Sequence, residues 1–346
     1  MRDTMSELER YSRQTLFKPI GEDGQKKLLN KKAVIVGMGA LGTVISNHLV
    51  RSGVGYVRLI DRDLVELSNL QRQSLYDEDD ANEHLPKVIA AEKKLKKINS
   101  TIKIESVIAD LNLENAEELL SGFDVIVDGT DNFSTRYLIN DISIKFGIPW
   151  VYGGAVSSRG MHAVIIPGKT PCYRCLFPEV QTGLGETCDT IGVLSPITDI
   201  IGSFEAVEAL KLLVGAQANP NLEQIDIWYN SYLQMDISQG RNPDCPACAH
   251  KKFEFLDRSS EQQISFAVLC GRDTMQINPR NVKEFLLSDL AEKLKSSGKV
   301  TVNSFLLRFS PDEEVTMVFF KDGRALIHGV DDITQAKTYY SRYVGG

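Results

Sequence analysis

No apolar run in the sequence approaches the roughly 20 residues that a membrane-spanning helix requires. The first ten residues, Met1 to Arg10, are polar and acidic and lack the apolar core of a secretion signal. Basic residues are outnumbered, 39 Lys and Arg against 46 Asp and Glu, for a net charge of −7. That balance disfavours a broad nucleic-acid-binding face and leaves only local basic sites. Internal repeats and low-complexity segments are absent. His48, His84, His162, His250 and His328 are scattered, and no Ser/His/Asp or Cys/His catalytic set emerges. Cysteine is scarce, six in 346 residues, too few for a disulfide scaffold. The expectation is a cytoplasmic protein with no membrane and no nucleic-acid partner.

What remains is an ordinary globular composition, 42% hydrophobic and 25% charged. The length suits about two domains at roughly 150 residues each. Apolar strand runs at 33–37, 56–60, 102–108, 125–128 and 150–152 alternate with helical patterns at 43–51, 84–98, 113–120 and 135–146. This rhythm predicts an α/β fold, a doubly wound, Rossmann-like, mostly parallel sheet covered on both faces. Beyond Tyr152 come a strand at 163–166, a glycine-bearing loop at 179–196 and a helix at 198–214. A small C-terminal α+β domain follows, with a strand at 265–270, a helix at 282–295 and a last helix at 333–343. Its hairpin, 315–320 with 325–327, turns at Lys321-Asp322-Gly323, a strong turn signal. The domain boundaries read as 1–30, an N-terminal helical arm; 31–250, the main domain; and 255–346, an extension to which no role is assigned.

Gly37-x-Gly39-x-x-Gly42 follows a strand and opens a helix, as a dinucleotide fingerprint requires. Ala40 and Met38 occupy the variable places within it. Asp61 ends the next strand, 19 residues past Gly42, where an acid can bind ribose hydroxyls. Taken alone, this favours an NAD-dependent oxidoreductase, but nothing downstream supplies a hydride-transfer acid or base. Instead Asp61-Arg62-Asp63 leads into Asn69, Arg72 and Gln73, with Lys87 opening the next helix. Cationic donors at this sheet edge suit a triphosphate better than a pyrophosphate already cradled by backbone. Thr130-Asp131-Asn132 closes another strand at the same edge. Asp131 there can hold Mg²⁺, cap the following helix, or do both.

These motifs, Arg10-Tyr11-Ser12-Arg13-Gln14, the glycine fingerprint, Asp61-x-Asp63, Asn69-Leu70-Gln71-Arg72-Gln73, Pro86-Lys87 and Thr130-Asp131-Asn132, occur in a telling order. Over roughly residues 7–250 the chain resembles the ThiF/MoeB family, bacterial relatives of ubiquitin-activating E1 enzymes. The resemblance implies an E1-like adenylyltransferase that binds ATP with Mg²⁺ and activates the C-terminal Gly-Gly of a ubiquitin-like sulfur carrier protein. It implies a homodimer in which Arg13 reaches the partner's active site, beside catalytic Arg72, Lys87 and Asp131. Nucleotide contacts would come from Gly37, Gly39, Ala40, Gly42, Asp61, Asp63, Asn69, Gln73 and Asn132. Carriers of ThiS type (thiamine thiazole) and MoaD type (molybdopterin) both fit, with a cysteine desulfurase as possible sulfur donor. The stretch Pro171 to Glu179 resembles MoeB-type members somewhat more. A carrier-binding scaffold without catalysis would require lost ATP ligands, and Asp61, Arg72, Lys87 and Asp131 are all present.

Cys172-x-x-Cys175 and Cys245-x-x-Cys248 form two thiolate pairs. One pair alone is ambiguous with a redox motif; two match a closed, structural Zn²⁺ site. Cys188 lies in a polar loop as Glu186-Thr187-Cys188-Asp189-Thr190, a setting that favours reactivity over burial. The resemblance makes it a candidate for covalent capture of the carrier. Cys270 ends a strand without a Cys-x-x-x-x-Arg loop and reads as a structural thiol. The terminal Gly345-Gly346 is a carrier-type tail whose plain explanation is a frayed end after a helix.

Overall fold

The computed structural model describes residues 8–178, 191–257, 266–268, 274–277, 286–330 and 332–344. Cys188, Cys270 and Gly345-Gly346 lie outside these residues, as does most of the 179–196 loop. Two compact units divide the chain between Asp257 and Arg258. The first opens with α1 (Ser12–Thr15) and α2 (Gly21–Leu29) and continues through β1 (Lys32–Val36), α3 (Ala40–Arg51) and β2 (Tyr56–Asp61). Next come α4 (Glu78–Asn82), α5 (Lys87–Ile98), β3 (Lys103–Ile108), α6 (Ala116–Leu120), β4 (Val125–Asp128) and α7 (Phe133–Phe146). It closes with β5 (Trp150–Val156), β6 (Arg159–Ile165), α8 (Tyr173–Leu176), α9 (Ser195–Val214), β7 (Asn221–Asp226) and β8 (Ser231–Asp236).

These strands make one sheet in the order β3-β2-β1-β4-β5-β6-β7-β8. The pairs from β3 to β5 are parallel, and those from β5 to β8 are antiparallel. The predicted doubly wound sheet is therefore present, with an antiparallel extension that the sequence pattern did not announce. The period of two is visible in β1. Ala33 and Ile35 join the core beneath α3, α5 and α9, while Val34 and Val36 join the core with α7 on the other face. All four are buried, and full burial of a Val or Ile side chain is worth about 1.5–3 kcal/mol. β7 and β8 escaped the reading because they are short antiparallel strands at the sheet margin without a continuous apolar run. Every residue of β8 is exposed.

Helix boundaries shifted where local chemistry intervened. The helix expected from His84 begins at Lys87, because Pro86 disfavours helical backbone at the residue before it and serves as the cap. His84 itself takes a left-handed conformation, φ +49°. α9 starts at Ser195, with Pro196 in its first turn, where a missing N–H is harmless.

In the second unit, β9 (Phe266–Val268), β10 (Thr274–Ile277), α10 (Leu287–Leu294), β11 (Lys299–Val302) and β12 (Leu306–Ser310) precede the predicted hairpin. That hairpin is β13 (Thr316–Phe320) with β14 (Ala325–His328), and α11 (Ile333–Tyr343) ends the unit. The sheet order is β11-β12-β13-β14-β10-β9. Leu307, Phe309, Met317, Phe319 and Ile327 pack with Leu290 and Leu294 of α10. The hairpin turns at Gly323, φ +86°, a left-handed conformation that glycine adopts without strain. Among the described residues, no helix is long and apolar enough to cross a membrane.

Candidate active site

The ends of β1, β2 and β4 lie side by side, since Val36 pairs with Ile60 and with Asp128. Every nucleotide-site candidate downstream of them therefore departs from one sheet edge. The loops leaving β1 and β4 cross almost in contact. A Cβ on Gly42 would stand 1.9 Å from the Gly37 carbonyl oxygen, and one on Gly129 would stand 2.4 Å from it. Gly37 adds φ +89° and would meet the Gly129 carbonyl at 2.5 Å. Gly39 differs: only the Gln73 amide, at 3.9 Å, lies within reach of an added Cβ. Gly39 is also the cap residue of α3, and no side chain satisfies the helix there. An uncapped N-terminus over open space is a place where backbone N–H groups can receive phosphate.

Side chains close around this opening. Asp61 Oδ2 accepts the Met38 N–H at 2.6 Å, and Oδ1 accepts the Asp63 N–H at 2.7 Å. Burial pushes the Asp61 carboxyl up in pKa, against the pull of Lys87. Lys87 is buried, and its ammonium bonds Asp63 Oδ2 at 2.9 Å. The Lys87 N–H also donates to the Asp63 carbonyl at 2.9 Å, so backbone and side chain lock the two together. Tyr76, likewise buried, sits with its hydroxyl 2.8 Å from the Met38 carbonyl and 3.2 Å from that of Lys87. Asn69 and Gln73 are buried, yet Asn69 Nδ2 and Gln73 Oε1 have no hydrogen-bond partner. Buried amide groups left unpaired are costly, and here they fit a site that a polar ligand completes. Arg72 is half-buried and bonds the Ser68 carbonyl at 3.0 Å.

At the end of β4 the loop is held from behind. Asp128 Oδ1 accepts the Thr130 N–H at 2.9 Å and its hydroxyl at 2.6 Å. Asp128 Oδ2 accepts Arg136 Nε at 2.8 Å, and Arg136 also donates to the carbonyls of Thr130 and Gly153. Desolvation works against the buried Arg136 charge, but Asp128 outweighs it and the guanidinium pKa rises. Asp131 follows, exposed, close enough to Arg62 for its charge to stabilise that guanidinium. The α7 cap is Asn132, whose Oδ1 accepts the Ser134 N–H at 2.8 Å, so Asp131 is not the capping residue. The Asn132 Oδ1 is thus engaged by the start of the helix.

Arg13 stands exposed on α1. Among the described residues, no hydrogen bond or ion pair joins it to these groups, whereas its neighbours anchor the arm. Tyr11 lies under Gly53 and accepts from Asn99 at 2.9 Å, and Gln14 donates to the Ser52 carbonyl. Sequence reasoning passed over Gly129, Tyr76, Arg62, Asp128 and Arg136. For Arg136 a signal existed, a cation three residues into an otherwise buried helical face.

The four paired cysteines converge. Sγ separations are 3.8 Å for Cys172–Cys175, 3.6 Å for Cys172–Cys245 and 3.5 Å for Cys175–Cys248. All four sulfurs lie within 4.8 Å of one another. Sulfurs about 2.3 Å from a tetrahedral zinc ion stand about 3.8 Å apart, so the donor set fits that metal.

Residues 11–247 match the ThiF family. The chain is 46% identical over 337 residues to the sulfur carrier protein ThiS adenylyltransferase of Bacillus subtilis, spanning 97% of this chain and 99% of the relative. It is 37% identical over 279 residues to a sulfur carrier protein adenylyltransferase of Thermus thermophilus, spanning 78% and 99%. Among solved structures, E. coli MccB with ATP superposes at a TM-score of 0.60 with 25% identity, covering 69% of this chain and 74% of that one.

The two glycines of the helix start separate fold from ligand. Gly42→Ala drives a methyl into backbone and should lower unfolding free energy by about 1–3 kcal/mol or more in urea titration. Gly39→Ala has room and should stay within about 0.5 kcal/mol while weakening nucleotide binding. A Gly42→Ala protein as stable as the wild type would contradict the close crossing.

Proposed function

This chain belongs to the ThiF family, and from that premise we propose that it adenylates the C-terminal glycine carboxylate of a ubiquitin-like sulfur carrier protein. The observation that carries the reading is the opening at Gly39. The uncapped helix start faces open space there with the Gln73 amide beside it, and the buried Asn69 amide and Lys87 come from the segments that follow β2 at the same sheet edge.

The chemistry needs little beyond placement. A C-terminal carboxylate has a pKa of about 3.5 and is already ionised at neutral pH, so no general base is required. Its oxygen attacks the α-phosphorus of ATP; the new acyl–phosphate bond forms as the bond to the β-phosphate oxygen breaks, and pyrophosphate leaves with the electron pair. Two anions must approach one another, and the rate gain comes from holding them and neutralising charge. The N-terminus of α3, Lys87 and Arg72 supply this within the chain, and Arg13 supplies it from the second copy of a homodimer. Gly37, Ala40 and Gly42 keep the backbone close to the phosphates, Asp61 and Asp63 face the ribose side, and Asn69 and Gln73 satisfy their amides on the nucleotide. Asn132 contributes by capping the helix behind Asp131. Magnesium, when bound, spreads the developing phosphate charge, and exposed Asp131 is the residue to hold it.

Cys172, Cys175, Cys245 and Cys248 hold a structural zinc ion, with no open position for catalysis. Cys188 captures the activated carrier, and a cysteine desulfurase is the matching sulfur source. The ThiS-type carrier is preferred over the MoaD type. Identity to the Bacillus subtilis relative extends over 97% of this chain, the second unit included. No observation favours the NAD-dependent oxidoreductase: the glycine fingerprint serves ATP equally well, and the relatives bear adenylyltransferase names.

Three measurements test this. Arg72→Ala and Asp131→Ala should each abolish carrier-dependent ATP–pyrophosphate exchange, and near-normal exchange in both would remove the assignment. Elemental analysis should find one zinc per chain, with chelation lowering the melting temperature; a stably folded, active, zinc-free protein would refute the metal site. Cys188→Ala should retain exchange and lose sulfur transfer, and full transfer would end the covalent role.

A further inference from the structure

Behind the loop that carries Asp131 lies an acid that the chemistry above does not use. Glu205, on α9, has no exposed surface, and neither carboxyl oxygen has a hydrogen-bond partner. It is pressed against Gly153 of β5: a Cβ there would lie 2.2 Å from Glu205 Cδ and within 2.5 Å of both oxygens. The carbonyl of that same Gly153 accepts from Arg136 at 2.9 Å. Arg136 in turn grips Asp128 and the Thr130 carbonyl, one residue before Asp131. Glu205 thus supports a peptide through which β5 reaches the guanidinium holding the Asp131 loop.

We propose that Glu205 is a positioning residue of the adenylation site, one that seats Gly153 and leaves Arg136 to Asp128, Thr130 and Gly153. The inference rests on the adenylation reading and deepens it. The electrostatics favour the neutral form. The groups facing Glu205 are Asp128 from β4, Arg136 from α7 and Tyr152 from β5. Burial and the Asp128 carboxylate raise the Glu205 pKa well above its usual value, and Arg136 offsets them only in part. The histidines nearest α9 are engaged elsewhere, His162 of β6 with Glu223 and His48 of α3 with Ser203. An ionised Glu205 would be a second buried carboxylate competing for one guanidinium, and the clamp on Thr130 would loosen. Protonated, it is close in shape and charge to glutamine.

The test combines a proton count with rescue. An acid whose folded pKa is raised contributes stability that is present below its unfolded value, about 4.3, and is lost as pH rises toward its folded value. Stability against pH, measured by urea unfolding upward from pH 5, should therefore carry one proton's slope from Glu205. Glu205→Gln should lack that slope. Glu205→Ala should cut carrier-dependent ATP–pyrophosphate exchange about tenfold, and Glu205→Gln should restore it to within about twofold of wild type. If the alanine variant does not fold, the glutamine variant's proton slope decides alone. An unchanged slope in Glu205→Gln, or exchange as poor as in Glu205→Ala, would overturn the proposal. Wild-type protein without exchange would count against the adenylation reading itself, whereas an active wild type with an impaired glutamine variant counts against Glu205 only.

Discussion

The backbone crossing at the ends of β1 and β4 is the constraint on which the rest of the first unit depends. The Gly37 carbonyl lies so near Gly42 and Gly129 that no side chain fits at either position. The crossing sets where α3 begins, and hence where its unsatisfied N–H groups point. It also fixes the exit of the β4 loop, and through it the place of Asp131. A tight turn of this kind gains nothing in burial. Its value lies in leaving room for a ligand where side chains would otherwise pack.

Around that opening, charge is arranged in fixed pairs. Lys87 with Asp63, Arg62 with Asp110 and Arg136 with Asp128 each join two different segments of the sheet edge. Arg136 with Asp128 is buried and the other two are partly so, and pairs withdrawn from water contribute little net stability, because desolvation consumes most of the attraction. They do fix geometry, and an enzyme that works by holding two anions together needs geometry above all. The four-cysteine knuckle serves the same end further back. Tyr173, next to Cys172, packs against Tyr152, whose ring lies under Arg136.

Much of this was legible in the sequence, for identifiable reasons. Apolar runs ending in Gly37, Asp61 and Asp128 gave the parallel strands, because strands buried on both faces must be continuously apolar. Each cysteine pair was legible because the Cys-x-x-Cys ligand spacing is a local property, and two such pairs call for one shared metal. β7 and β8 were missed because an edge strand need bury nothing, and β8 buries nothing. Asp131 and Asn132 stand one residue apart, and only the backbone decides which of them caps α7. Glu205, and the role of Arg136 as opposed to its presence, were unreadable for a deeper reason. A buried charge or acid makes sense only beside its partners, and Asp128, Gly153 and Glu205 are far apart in sequence.

The central claim is that an acyl-adenylate forms on a carrier's terminal glycine at this sheet edge. Intact-mass analysis of a ThiS-type carrier incubated with the protein, ATP and Mg²⁺ tests it most directly. The account predicts that the carrier gains one AMP moiety and that one pyrophosphate is released for each. A carrier of unchanged mass, with no pyrophosphate released and tight binding of NADH in place of ATP, would contradict it.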